Sequence, residues 1–427
     1  MKAPASPALA HRVRRLAHLD LPGAGQIVVE GGYAYVGHMK PPHGTTILDV
    51  SDPRRPRVVA AIALEGEESH THKVRVVGDL MFTNVEHNDR RRLRRARRVR
   101  EARERLRRAL GREPSGAEIA ARAGVQESEV AALEACLERP YRDGGFKVWD
   151  ISQRSRPRLL CHHRTGGCGV HRFDADERYA YISTEMEGFL GNILVIYDIR
   201  DPARPEEVSR WWLPGQHVAA GETPQWEGQQ WRLHHALRCG DRLWAGCWYA
   251  GLRVIDISDI RAPRTVGAYN YHPPYPEPTH TVYRVPFPVA GREVALVTDE
   301  EHEHVRGQPH AHLWIFDVAD LSAIRPLATF HVSELDSPWS RAPGRFGAHQ
   351  FQEHLEGTLV CCAWFAGGLR VVDIADPAAP REAGWYIPEP CGGNPSPQSN
   401  DVDVDGRGLV YLVDRNCGLD ILELEIR

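Results

Sequence analysis

Five histidines stand at the same point of a repeated sequence pattern, and imidazole is the commonest protein ligand of transition metals. Each opens a short apolar run that is followed, after a turn of nearly constant length, by a second apolar run. They are His72, His171, His235, His280 and His349. A lone histidine more often hydrogen-bonds a nearby carbonyl, so the inference depends on five histidines in register. If the fold brings them together, they could bind one metal ion.

Three glutamates form a second register. Glu86 in TNVEH and Glu185 in STEME lie fourteen residues beyond His72 and His171, and Glu300 in TDEEH matches them by alignment. A carboxylate there could accept the second ring N–H of a ligating histidine and fix its tautomer. The alternative is that these glutamates are surface acids at loop entrances.

A site with about four neutral histidines would leave a position open for water, dioxygen or substrate. Iron is the first expectation for the ion, with manganese, copper or zinc as alternatives. We therefore expect a metal-dependent oxidoreductase acting on a small organic substrate.

A motif that recurs seven times must position these residues. It reads TTILDVSDPRRP at its first copy and LRVVDIADPAAP at its sixth, with a repeat of roughly 50 residues. Each copy is an alternating apolar strand followed by an Asp-Pro type turn, and four strand-like runs surround each motif. Four short strands repeated around a ring predict a blade of a β-propeller. The inner strands of such a fold line its channel, which would bring the histidines to one depth.

The last copy stops after its third strand, and HRVRRLAHLDLPG around Val13 resembles the missing fourth strand. We therefore predict an all-β, seven-bladed β-propeller closed by an N-terminal strand, as one domain over residues 1–427. In the first and last blades the histidine position falls on Gly25 and Asp401.

On these motifs the chain resembles the LVIVD-repeat family of β-propellers, most closely at 195–198, 254–256 and 371–373. The resemblance implies the fold and little about activity. Histidines backed by glutamates on a propeller axis are similar to the iron site of carotenoid-cleaving dioxygenases, an analogy of architecture only. Selenium-binding-type thiol oxidases are a looser parallel.

An insertion at 88–143 interrupts the second blade, and it contains thirteen arginines between Arg90 and Arg112. We predict a helical lid over the channel mouth. Its continuation resembles a short helical segment of bacterial sigma factors, carried by Glu113, Pro114, Glu118, Ile119, Ala120, Gly124 and Val130. The arginines of 90–112 could instead bind nucleic acid through phosphate neutralisation.

Composition, charge and missing motifs argue against several other classes of function. The net charge of −4 gives no global argument for nucleic acid, and no apolar stretch is long enough to span a bilayer. The N-terminus lacks the apolar run of a secretory signal, so we expect a cytoplasmic protein whose nine cysteines are free thiols. Serine-elbow, P-loop and dinucleotide motifs are absent from the sequence.

The sequence thus favours a metalloenzyme with histidine ligands. The alternative is a non-catalytic LVIVD-repeat propeller scaffold that binds protein or nucleic acid through its helical insertion. The oligomeric state is open in both cases.

Overall fold

The computed structural model describes residues 8–138, 141–226, 228, 230–302, 305 and 307–426. Its strands form antiparallel four-stranded units that follow one another along the chain, as in a β-propeller. The chain begins with β1 (Leu9–His11) and β2 (Val13–Leu19). The first sheet contains β3 (Ala24–Glu30), β4 (Tyr33–His38), β5 (His43–Asp49) and β6 (Arg57–Ala63).

The next two sheets continue in chain order. One contains β7 (Ser69–His70), β8 (Val74–Val77), β9 (Leu80–His87), β10 (Gly145–Asp150) and β11 (Arg158–Arg164). The other contains β12 (Val170–Ala175), β13 (Tyr179–Glu185), β14 (Asn192–Asp198) and β15 (Glu206–Trp211).

An eight-stranded sheet comprises two such units, which a bridge between Trp248 and Thr279 joins. Its first unit is β16 (Trp231–Cys239), β17 (Arg242–Trp248), β18 (Leu252–Asp256) and β19 (Arg264–Tyr269). Its second unit is β20 (Thr279–Arg284), β21 (Val294–Asp299), β22 (Leu313–Asp317) and β23 (Arg325–Phe330).

Two further sheets complete the order. One contains β24 (Ala348–Phe351), β25 (Leu359–Trp364), β26 (Gly368–Asp373) and β27 (Arg381–Ile387), with β1 at its edge. The other contains β28 (Ser399–Val404), β29 (Leu409–Asp414) and β30 (Gly418–Leu424), with β2 as its fourth strand. Short 3₁₀ helices lie at Glu127–Glu129, Val218–Ala220, Leu321–Ala323 and Glu334–Asp336.

The N-terminal strand closes the last sheet, as the sequence predicts. Strand β2 pairs antiparallel with β30, with Val13 opposite Leu424 and Leu19 opposite Leu419. Buried apolar clusters join each unit to the next, and one of them packs Leu48 of β5 with Leu419 of β30. The last unit therefore packs against the first.

The aspartate of each motif ends a strand and caps the following turn. In six copies its carboxylate accepts the backbone N–H of the residue two positions later, at 2.9–3.1 Å. The aspartates are Asp49, Asp150, Asp198, Asp256, Asp317 and Asp373. This is the Asx-turn that stops a strand and reverses the chain, so the motif repeats for a structural reason.

Three helices lie between β9 and β10. They are α1 (Arg90–Leu110), α2 (Gly116–Ala123) and α3 (Val130–Ala135). The Asp89 carboxylate caps α1, and a left-handed Gly111 ends it. One face of α1, including Ala96 and Val99, packs on α2 and α3 in an apolar cluster of their own.

A second face of α1 contacts the sheets through arginines spaced four and three residues apart. Arg90 donates to Glu86 at 2.7 Å, and Arg94 and Arg97 donate to the two oxygens of Glu185 at 2.7 and 2.6 Å. This spacing places all three on one side of the helix. The helix is therefore held against the propeller by buried charge pairs.

Two of the nine cysteines differ from the predicted free thiols. Cys391 and Cys417 form a disulfide with a Cα–Cα distance of 5.6 Å, and the other seven are free. Disulfides persist mainly in oxidising compartments, so this bond is at odds with the predicted cytoplasmic location. Among the described residues, no helix has both the length and the apolar composition that a bilayer crossing requires.

We predict that the disulfide survives purification without reductant. Alkylation of the denatured, unreduced protein should label the seven free cysteines, and reduction should release two more. Because the bond closes a loop across 26 positions, Cys391→Ser should lower the free energy of unfolding by about 3 kcal/mol. Labelling of all nine without reductant would contradict this pairing.

A second prediction concerns Glu185. Burial alone would raise its pKa, but Arg94 and Arg97 lower it from the ordinary 4.5 to about 2. A depressed pKa stabilises the folded state above about pH 4.5, and that stabilisation is lost as the pH falls from 4.5 towards 2. Replacing both arginines by glutamine should lower the free energy of unfolding by about 3 kcal/mol at pH 7, and by less below pH 4.5.

The matched control is Arg92→Gln, because Arg92 is an exposed arginine of the same helix. Urea unfolding at several pH values measures the free energy of unfolding of the double variant and of the control. If the double variant and the control lose the same stability at pH 7, the pairing of α1 with Glu185 is contradicted.

Candidate metal centre

Six imidazole rings lie in a continuous row that crosses five successive units. Neighbouring ring centroids are 4.0 to 5.4 Å apart. In order, the rings are those of His70, His72, His171, His234, His280 and His349. Five of them are buried and His171 is nearly so. The inner strands therefore bring imidazoles to one place, as the repeat predicts.

A register shift in the strand pairing sets the direction of most of these side chains. The pairing register shifts at His171, between Val170 and Arg172, and in the same way at His280 and His349. In β16 the shift falls between Trp231 and His235. Such a bulge leaves one residue unpaired and turns its side chain out of the alternating pattern.

One cluster in the row, the Glu300 group, consists of His234, His280 and Glu300. Their ligand atoms all lie within 4.8 Å of one another. Nε2 of His280 is 3.9 Å from Glu300 Oε2, and Nε2 of His349 is 3.9 Å from the other oxygen, Oε1. Arg345 donates to Oε1 at 2.7 Å.

Hydrogen bonds fix the tautomers of these rings. Nδ1 of His234 lies 2.9 Å from the carbonyl oxygen of His280, and Nδ1 of His349 contacts the carbonyl oxygen of Asn400. Because a carbonyl oxygen only accepts, each Nδ1 carries the proton and each Nε2 presents a lone pair.

The same tautomer follows for His280 by one further step. The Thr281 hydroxyl donates its only proton to Gln350 Oε1 at 2.6 Å, so it accepts from Nδ1 of His280 at 2.9 Å. Nε2 of His280 is then unprotonated and faces Glu300.

Burial keeps these rings neutral and the carboxylate charged. Burial lowers the pKa of His234, His280 and His349 well below the usual range. For Glu300 burial alone would raise the pKa, but His302 and Arg345 hold it well below its usual range. Neutral imidazole and ionised carboxylate are the forms that bind metal ions.

The second cluster, the Glu86 group, consists of His70, His72 and Glu86, again with ligand atoms within 4.8 Å. Glu86 Oε2 is 3.1 Å from His70 Nε2 and 2.9 Å from His171 Nδ1. Arg90 of α1 donates to the same oxygen at 2.7 Å. A positive charge therefore already compensates this carboxylate.

The structure brings four of the five predicted ligands into the row: His72, His171, His280 and His349. His235 is not in the row, because the bulge in β16 places its neighbour His234 there. Nε2 of His235 lies 3.6 Å from Glu353, and neither ring nitrogen has a hydrogen-bond partner among the described residues.

Of the predicted carboxylates, Glu86 and Glu300 adjoin histidines of the row. Glu185 differs from them, because its two carboxylate oxygens accept hydrogen bonds from Arg94 and Arg97. Sequence reasoning missed His70 and His234 as members of the row. Each lies close to a predicted ligand in the sequence. His70 comes two residues before His72, in SHTH, and His234 comes directly before His235, in HH.

A glycine of β17 allows the close approach of the strand that carries His280. A Cβ atom at Gly246 would lie 2.3 Å from the carbonyl oxygen of His280, the oxygen to which His234 donates. We predict that Gly246→Ala displaces this strand and lowers the free energy of unfolding by about 1–3 kcal/mol. It should also weaken any ligand held by His234.

The control is Gly357→Ala, since a Cβ at Gly357 would meet open space. Chemical unfolding of both variants measures the difference. Equal stability of the two variants would contradict the described approach of β17 to β20.

Comparison with known proteins supports the fold. The LVIVD repeat model matches residues 23–62, 174–211, 240–271 and 354–387. The chain is similar in structure to the C-terminal WD40 domain of Sif2, with a TM-score of 0.51 at 9% identity, covering 96% of this chain and 97% of that one. It is also similar to a chain of the mitotic checkpoint complex, with a TM-score of 0.52 at 8% identity, covering 99% and 96%.

These structural likenesses concern the fold alone. No curated protein matches the chain in sequence. The chain thus contains four LVIVD repeats, and its sheet order is consistent with an LVIVD-repeat β-propeller.

Proposed function

We propose that this protein is a metal-dependent enzyme, an oxidoreductase that acts on a small organic substrate at the Glu300 group. The observation that carries the proposal is the set of three rings, His234, His280 and His349, whose Nδ1 atoms each have a fixed acceptor. Their unprotonated Nε2 atoms remain available to bind one common metal ion. Those of His280 and His349 face Glu300. Neutral rings with carboxylate are a common donor set for iron, manganese, copper and zinc.

His171 extends this donor set. Its Nε2 lies 3.0 Å from Nε2 of His234. Two imidazole nitrogens bound to one ion at about 2.0–2.1 Å are roughly 3.0–3.4 Å apart, so the observed separation suits two ligands of a common ion. We infer that His171, His234, His280 and His349 are the ligands, with Glu300 beside them.

The Glu86 group is the weaker candidate for this ion. Arg90 donates to Glu86 Oε2 and lies 2.9 Å from His171 Nδ1, so its guanidinium occupies the position that a cation would take. Arg345 contacts only Oε1 of Glu300 and leaves Oε2 facing His280 and His302.

An ion bound there would polarise a substrate oxygen or, if it is iron, copper or manganese, also exchange electrons. The protein's own groups would hold it, orient the rings and exclude bulk water. We propose iron first among these metals. We further propose that the units are the seven blades of a single ring, with α1 to α3 as a lid over its face.

A non-catalytic scaffold that binds protein or nucleic acid through the insertion is the alternative. The arginines that face the propeller are paired with Glu86 and Glu185, and Arg95 and Arg103 pair with glutamates of the insertion itself. Among the described residues of the insertion, exposed arginines such as Arg91, Arg98 and Arg122 remain for phosphates. The lid is therefore the better supported role.

We predict about one equivalent of transition metal in protein purified without a histidine tag, measured by elemental analysis. His234→Ala combined with His280→Ala should remove it, because the variant loses two ligands. His235→Ala is the matched control, since it removes the neighbouring buried histidine that is outside the row. It should retain the metal.

Circular dichroism should show the same strand content in all three proteins. Loss of metal in the His235 variant alone, or its retention in the double variant, would contradict the proposed ligands. Absence of metal from the wild type after reconstitution with each of the four ions would contradict the enzyme and leave the scaffold.

A further inference from the structure

A cleft of about 1150 Å³ lies between α1 and the propeller. Arginines of α1 line one side, among them Arg94 and Arg97, and Arg232, Trp226, Trp248 and Tyr249 lie among the residues of the other. The cleft therefore combines positive charge with aromatic surface.

Arg232 differs from Arg94 and Arg97 in having no carboxylate within ion-pair distance among the described residues. Arg94 and Arg97 both donate to Glu185. Among the described residues, Arg232 takes part in no ion pair within 4.0 Å, and its guanidinium carbon instead lies 3.7 Å from the ring centroid of Trp248. A guanidinium keeps its charge at any physiological pH, so Arg232 brings a positive charge to the cleft without a directly bonded carboxylate.

The surroundings make that charge costly in the empty cleft. Burial, and then the positive charges of Arg94 and Arg90, hold the pKa of Arg232 well below its usual range. The exposed Arg91, Arg98, Arg100 and Arg105 also line the cleft, against the acids Glu101, Glu185 and Glu187. An anion would relieve this repulsion and be attracted into the cleft.

Trp248 connects the cleft to the row of histidines. Its ring centroid is 4.6 Å from that of His302 and 6.3 Å from that of His234. Its backbone has a φ of 50°, in the left-handed region that a bulky residue rarely adopts. Such strain persists where the surrounding structure requires the side chain in one position, and it is concentrated at binding sites.

We propose that Arg232 is the anchor for a small organic anion with an aromatic body, bound beside Trp248 and directed towards the Glu300 group. A carboxylate or a phosphate monoester both fit a guanidinium, which donates two parallel hydrogen bonds to either. The aromatic body would pack against Trp226 and Tyr249. That this anion is the substrate of the enzyme rests on the proposed function. Binding of the anion to the cleft does not need the metal.

The test measures binding to metal-free protein by tryptophan fluorescence or calorimetry. The probes are benzoate, phenyl phosphate, inorganic phosphate and the neutral benzyl alcohol. We expect at least one of the two aromatic anions to bind ten-fold or more tightly than benzyl alcohol and inorganic phosphate. The stronger of the two identifies the anionic group.

Arg232→Gln should weaken binding of that anion at least ten-fold and leave benzyl alcohol unchanged. Arg98→Gln is the control, because it removes one exposed charge from the same cleft, and it should change binding less than three-fold. Arg232→Lys, which keeps the charge but not the paired donors, should give an intermediate affinity and serves if the glutamine variant does not fold.

Equal binding of benzoate, phenyl phosphate and benzyl alcohol, or equal loss in the Arg232 and Arg98 variants, would overturn the proposal. Because the protein is metal-free, such a failure would leave the metal site untouched. Conversely, anion binding in a protein that never takes up metal would support the Arg232 site and refute the proposed enzyme.

Discussion

The interruption of the ladder where each inner strand enters its sheet is the constraint on which the site depends. A regular strand would send alternate side chains into the cores between neighbouring units. At His171, His280 and His349 one residue instead falls out of register. Its side chain then meets the equivalent side chain of the adjacent unit. The packing of units in a ring converts this local irregularity into a continuous row of imidazoles.

Charge compensation determines what each part of the row can do. His234, His280 and His349 are neutral because burial lowers their pKa, and each of their Nδ1 atoms is bound to a fixed acceptor. Arginines from α1 neutralise Glu86 and Glu185, so the inserted helix is bound to the same face that carries the row. Glu300 keeps one oxygen directed at the histidines, and Arg232 has no ion-pair partner in the part of the chain that the structure describes. These two groups, of opposite sign, define the proposed metal site and the proposed anion site.

The sequence was sufficient for the strand order, the closing N-terminal strand and the helices of the insertion. Each depends on local signals: the Asp-Pro type turn after the motif, the likeness of the run around Val13 to the missing fourth strand, and the arginine-rich run that begins the insertion. It also identified four members of the row. The sequence could not distinguish His234 from His235, because a register shift of one residue decides which of two adjacent side chains faces the channel. Nor could it show that Glu185 pairs with arginines 88 and 91 positions away.

The most direct measurement is a crystal structure of the reconstituted protein with anomalous data collected at the absorption edge of the bound metal. We expect one anomalous peak about 2.0–2.2 Å from Nε2 of both His234 and His280, next to Glu300. A peak in the Glu86 group or beside His235, with none at the Glu300 group, would contradict it.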